Sequence, residues 1–274
     1  MIVTSDRSTD LPDFSTPPLN EVVLGVQFST PKGYLQIHAG RVWELYRSDY
    51  PEVQEHAPLP PNFETFGIAH QRMSMPQIRF DSGGSHDRFW FVEPSGTELI
   101  QFQQDRLLHN WRKVVGGNNT YPRYEAMVSR FKEELVRLQE FMGTLSSQKL
   151  QINQCEISYI NHIVSKPNDD LSASHWLRFL NFDDVPPNDF SVSAREVIRG
   201  PDGSPRSRLT YEASTGVLAN GDPLIAMTLA VRGAPPSGDI ESAIDFLSEG
   251  RRIIVTKFAK LTTEYAHKKW GRNQ

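Results

Sequence analysis

The stretch LLHNWRK, residues 107–113, sets His109, Asn110, Trp111, Arg112 and Lys113 in a row beside apolar Leu107 and Leu108. On a strand, alternate residues share a face. Leu108, Asn110 and Arg112 then lie on one face, and Leu107, His109, Trp111 and Lys113 on the other. Just upstream, TELIQFQQ puts Gln101 and Gln103 opposite to Ile100 and Phe102. Pairing of the two runs would gather Gln101, Gln103, Asn110 and Arg112 into a polar, non-acidic surface with several donors and one permanent charge. That surface suits recognition of a protein, peptide or small molecule, with Arg112 at its energetic centre. A merely solvated sheet face is the alternative. Trp111 reads as core or interface, because its neighbours lack the interleaved basic and aromatic pattern of a base-stacking platform.

A second constellation is VVGGNNTYPRYEAM, residues 114–127, where a strand runs through two glycines into a helix start. Free N–H groups at such a start favour anions, so Asn119, Thr120 and Arg123 form a possible anion site. The competing account is ordinary capping, with Asn119 or Thr120 as cap, Pro122 in the first turn and Glu125 opposing an anion. Arg251 breaks an otherwise apolar helical stripe; it reaches a partner or anion, or else it snorkels at the edge of that stripe. Cys155, in the strand-like NQCEISYI, reads as an apolar filler rather than a nucleophile. The eight histidines are scattered, with no short metal-ligand spacing, so no metal and no cofactor are expected. His109 and His162 could meet only if their strands pair. Asp169–Asp170 and Asp183–Asp184 fall in proline-containing loops and read as solvated charge. The G-x-S-x-G, H-E-x-x-H, C-x-x-C and phosphate-binding glycine-loop motifs are absent, which points away from the commonest catalytic plans.

The elements that must position these groups follow from composition and periodicity. The 274 residues carry 29 basic and 33 acidic side chains, a net charge of −4. Duplex binding usually brings a basic excess, so this balance counts against nucleic acid. One cysteine forbids an internal disulfide, the opening residues lack a secretory pattern, and no apolar run is long enough to span a bilayer. A cytoplasmic protein without membrane contact is expected.

Residues 1–18 read as a flexible arm ending in two prolines. Residues 19–148 form a first half: the strand NEVVLGVQFS, a helix over 34–50, then strands that include the RFWFVE and TELIQFQQ hairpin. A long helix closes this half with Met127, Phe131, Leu135, Leu138 and Met142 at steps of three and four. Gly40 in the first helix suggests a close helix-on-sheet approach. Residues 149–274 repeat the order, with CEISYINHI, a short helix capped by Ser172 or Ser174, and three strands. A long closing helix runs from Ile240 through Tyr265 to Gly271. The expected class is α+β: two similar strand–helix–(three or four strands)–helix halves, forming curved antiparallel sheet with long helices on one face. By analogy this is the plan of the TATA-binding-protein-like fold, and a fold does not fix a function.

Four stretches, PPLNEVVLGVQF, HNWRK, YPRYE and FAKLTTEYAHKKWGR, together resemble a sporadically distributed family of bacterial proteins of about this length, one without an assigned activity. The resemblance implies a bacterial cytoplasmic protein and carries over no catalytic residue. Two functions remain in view. The first is a non-catalytic binding or partner subunit that uses the polar sheet face to hold a protein, peptide or small molecule. The second is an enzyme with a dispersed pocket between the two halves.

Overall fold

The computed structural model describes residues 11–67, 87–117, 119–164, 172–181 and 187–273. The acidic pairs Asp169–Asp170 and Asp183–Asp184, and residues 1–10 of the expected arm, lie outside these ranges.

The described strands form one curved antiparallel sheet. They are β1 (Leu19–Phe28), β2 (Glu52–His56), β3 (Arg88–Val92), β4 (Glu98–Gln103), β5 (Arg106–Arg112), β6 (Ile152–Val164), β7 (Ser191–Arg199), β8 (Pro205–Val217) and β9 (Pro223–Gly233). Across the sheet the order is β2-β3-β4-β5-β1-β6-β9-β8-β7. β1 and β6 pair along the centre, with Leu24 opposite Ile157. Outward from β1 run β5, β4, β3 and β2, and outward from β6 run β9, β8 and β7. His109 and His162 therefore do not meet: β5 pairs with β1, and His162 faces Ala226 on β9.

Period-two alternation builds the core. Val22, Leu24, Val26 and Phe28 of β1 are all buried on one face, joined by Cys155 and Ile157 of β6 and Leu229 and Val231 of β9. Two long helices cover this face, α2 (Tyr124–Leu145) and α4 (Ile240–Leu261). α2 buries the stripe Met127, Phe131, Leu135, Leu138 and Met142. α4 packs closely at Gly250, where an added Cβ would come within 2.6 Å of Ile157. Cys155 is buried at mid-strand, and burial pushes its thiol pKa up, as suits an inert filler.

The shorter helices depart from expectation in informative ways. The first helical segment is only a 3-10 turn at Gln36–His38 and α1 (Ala39–Glu44), and Gly40 faces open space rather than the sheet. α3 (Ala173–Trp176) is a single turn after Ser172, whose hydroxyl meets Ser174 instead of capping the backbone. The closing helix is broken at Thr262–Thr263, and α5 (Glu264–Trp270) follows with its own cap from Thr263 to Ala266 N–H. Gly271 then ends it in the left-handed conformation, as its position after Lys268 and Lys269 suggested.

Residues 11–18 correct the expected flexible arm. Leu11 and Phe14 are buried, and Phe14 packs edge-on against Phe258 and Trp270. Ser15 and Thr16 N–H groups donate to Gly271 and Trp270 carbonyls at 2.9 and 3.0 Å. The segment's few apolar residues thus suffice to dock it, because the α5 region offers both an aromatic pocket and free carbonyls.

Candidate functional site

The polar sheet face exists, with Gln101, Gln103, Asn110 and Arg112 on one side as the alternation required, yet it is not an exposed patch. Gln101, Gln103 and Asn110 are 8%, 5% and 2% exposed. Gln101 donates to Asn110 Oδ1 at 3.0 Å, and Asn110 donates to Glu21 at 2.6 Å. Arg88 and Trp90 both donate to Gln101 Oε1, at 2.9 and 3.1 Å. Residues 57–66 fold back over the same face. Gln103 exchanges hydrogen bonds with the Leu59 backbone, and Arg106 and Gln27 reach Pro60 and Asn62 carbonyls. Arg208 and Glu64 then pair at 2.7 Å on the far side. Arg112 is half-buried: its Nε–H donates to the Gly96 carbonyl at 3.2 Å and its guanidinium lies 5.3 Å from the Trp90 ring centroid. The expected exposed patch is therefore an internally bonded layer, because the chain itself supplies the partners that a ligand would have supplied.

On the helix side, His109 is fully buried, with Nδ1 3.0 Å from Glu134 and Nε2 3.7 Å from Glu98. Tyr50 donates to Glu134 at 2.9 Å, and Arg130 pairs with Glu98. Burial opposes charge on His109, but Glu134 and then Glu98 outweigh it and raise its pKa. Trp111 is buried in the core beside Tyr121, with ring centroids 5.0 Å apart.

A cavity of about 340 Å³ lies at the β1–β6 seam, within the range of small-molecule sites. Each wall has a local reason. Leu19, Tyr159, Asn161 and Leu229 face it from β1, β6 and β9, with Leu19 opposite Asn161 and Tyr159 opposite Leu229 in register. Arg251, Ile254, Val255 and Phe258 come from one stripe of α4, at steps of three and four. Phe14 and the loop before α2 close the remaining sides.

The polar groups in this cavity are few and placed. Arg251 has a side chain only 12% exposed and pairs with Glu125 at 3.0 Å. Its guanidinium carbon lies 4.9 Å from the Tyr124 ring centroid. Its Nε is buried without a hydrogen-bond partner among the described residues, so Arg251 is neither snorkelling nor fully satisfied. Tyr121 and Tyr159 hydroxyls approach to 3.4 Å. Burial raises the pKa of both phenols, and each hydroxyl stays protonated at neutral pH. At the rim, Arg123 pairs with Asp13 at 3.3 Å.

Arg123 is also the one described non-glycine residue with positive φ, at 74°. Such a conformation costs on the order of 1–2 kcal/mol and gathers at functional positions. Arg123 occupies the N-cap position of α2 and makes no side-chain cap bond there. The expected caps are elsewhere: Asn119 bonds both backbone groups of Val114 at 2.7 and 3.0 Å. Of the possible anion site Asn119, Thr120 and Arg123, only Arg123 lines the cavity.

Among the described residues, no group of three His, Cys, Asp or Glu side chains is placed to hold a metal ion. No described helix is long and apolar enough to cross a membrane. No family model matches the chain, and no curated protein or solved structure matches it either. Tyr121, Tyr159 and Leu229 had no signal in the sequence, since their convergence depends on strand register. Arg251 had one, the break it makes in an apolar stripe.

Proposed function

We propose that the protein is a non-catalytic small-molecule-binding subunit whose ligand occupies the cavity at the β1–β6 seam. The observation that carries this reading is a cavity of about 340 Å³ with largely apolar walls and an enclosed ion pair, Arg251–Glu125, in its lining. Arg123, held at positive φ on the rim, adds a strained feature at the same place. The described lining residues offer hydrogen-bond donors and no arranged nucleophile–base pair, which favours binding over catalysis.

The seam also bears on the origin of the site. We take the halves 19–148 and 149–274 to be diverged copies on a TATA-binding-protein-like plan, supported by the matching outward strand order from β1 and β6. Duplication would place an unshared cleft between the copies. The net charge of −4 and the strap of residues 57–66 across the open face count against a nucleic acid lying there. A bacterial cytoplasmic setting completes the proposal, with a protein partner reading the bound state.

Extraction of protein purified from its native host, followed by mass spectrometry, tests this reading. A small molecule should accompany the wild type and be lost from Val255→Trp, which places an indole inside the cavity. Identical small-molecule profiles from the two proteins would overturn it.

A further inference from the structure

Resting on that reading, we infer that the seam cavity selects an uncharged ligand with an aromatic or otherwise apolar body, and that Glu125 sets this selectivity. The inference comes from how the cavity's charges are already spent. Its charged lining side chains are Asp13, Arg123, Glu125 and Arg251, two of each sign. They are paired off as Arg251–Glu125 at 3.0 Å and Arg123–Asp13 at 3.3 Å. The inner pair is the more enclosed, with side-chain exposures of 12% and 28% for Arg251 and Glu125. The rim pair is more open, at 51% and 23% for Arg123 and Asp13.

An anionic ligand that reached Arg251 would sit against Glu125, or would displace it and leave a carboxylate short of its partner. A cationic ligand would face the Arg251 guanidinium in a largely apolar enclosure. Charges that are taken out of water without a partner are strongly disfavoured. An uncharged ligand meets neither difficulty and leaves both ion pairs intact. The Phe14, Leu229, Ile254 and Phe258 side chains supply apolar contact for the body. The Tyr121 and Tyr159 hydroxyls can donate to or accept from one polar group.

Three probes of one shape and different charge separate the possibilities: 2-naphthamide, 2-naphthoate and 2-naphthylmethylamine. Their binding to the full chain is measured by ligand-observed NMR and by thermal shift, with Val255→Trp as the blocked control. The amide should bind the wild type, at least about tenfold tighter than either charged probe, and should lose binding in Val255→Trp. Glu125→Gln keeps an acceptor beside Arg251 and removes the negative charge, so it should shift preference toward the naphthoate by roughly tenfold. Tighter binding of naphthoate than of naphthamide by the wild type would overturn the charge selectivity and leave the cavity reading standing. Selectivity unchanged in Glu125→Gln would overturn the role given to Glu125. No binding of any probe, or equal binding to Val255→Trp, would overturn the inference and the cavity reading together.

Discussion

On the sheet face, Gln101 Oε1 accepts from Arg88 and Trp90, Gln101 donates to Asn110, and Asn110 donates to Glu21. In the seam cavity, Arg251 reaches Glu125 and covers Tyr124, but its buried Nε meets no acceptor among the described residues. Both clusters are polar, both are enclosed, and both contain arginine. They differ in completeness. A buried polar network whose members satisfy one another stiffens the fold and has little left to offer a ligand. One that stops short of closure beside an empty volume keeps its specificity for something else. Hydrogen-bond accounting therefore separates a structural polar layer from a binding site where composition does not.

The largest effect that tests this distinction is at His109. Its Nε2 is also without a hydrogen-bond partner among the described residues, yet it is fully enclosed and stands 3.7 Å from Glu98. We expect it to be structural. His109→Leu leaves Glu134 buried without its imidazole partner and should cost about 3–5 kcal/mol. Its folded-state pKa is raised, so the stabilisation it contributes is fully present below the unfolded value of about 6.5 and is lost as pH rises through the folded value. Denaturant titrations of wild type and His109→Leu should show their widest gap at acid pH and a narrowing gap as pH rises. A gap independent of pH would mean that His109 is neutral in the fold, and the ionic account of its burial would fall.

A smaller effect is expected at Asn110. Asn110→Ala removes the link between Gln101 and Glu21 and should cost about 2 kcal/mol, with the urea midpoint lowered and the slope unchanged. Naphthamide binding should be as in the wild type, because the residue lies on the opposite face of the sheet from the cavity. Weakened naphthamide binding in a variant that is still folded would show that the closed layer and the cavity are coupled, and the comparison would need redrawing.

Much of this arrangement is legible in the chain. Period-two alternation through residues 98–112 sorts Gln101, Gln103, Asn110 and Arg112 from Ile100, Phe102, Leu107 and His109, and the faces follow that sorting. What alternation cannot convey is which face the chain later covers. Residues 57–66 read as a proline-rich loop, and nothing local tells that Leu59, Pro60 and Asn62 return their backbone groups to Gln103, Arg106 and Gln27. Phe14 was hidden for a related reason: a polar segment with two aromatic or aliphatic anchors looks mobile until the Phe258 and Trp270 rings that receive it are in place. The long helices were easy because their stripes run for many turns, whereas the break at Thr262–Thr263 sits inside a pattern whose apolar spacing continues across it. The cavity is the least legible feature. Its walls come from three strands, two helices and the segment at residues 12–17, and only the register of β1 against β6 brings them together.

The smallest effect on stability, and the sharpest on function, is expected from Arg251→Met. Methionine preserves most of the side-chain length and apolar contact with Tyr124, so no large void opens on α4. It removes the unpaired Nε along with the ion pair, and Glu125, at 28% exposure, can turn to water. Replacing a part-buried ion pair with an apolar side chain of similar size is often neutral, and the melting temperature should move by no more than a few degrees, equivalent to about 1 kcal/mol. Naphthamide binding should weaken roughly tenfold, since the cavity lining loses its enclosed guanidinium. If Arg251→Met instead lost several kcal/mol and bound naphthamide normally, Arg251 would belong with Asn110 among the groups that close the fold. Completeness of hydrogen bonding would then no longer distinguish the two clusters.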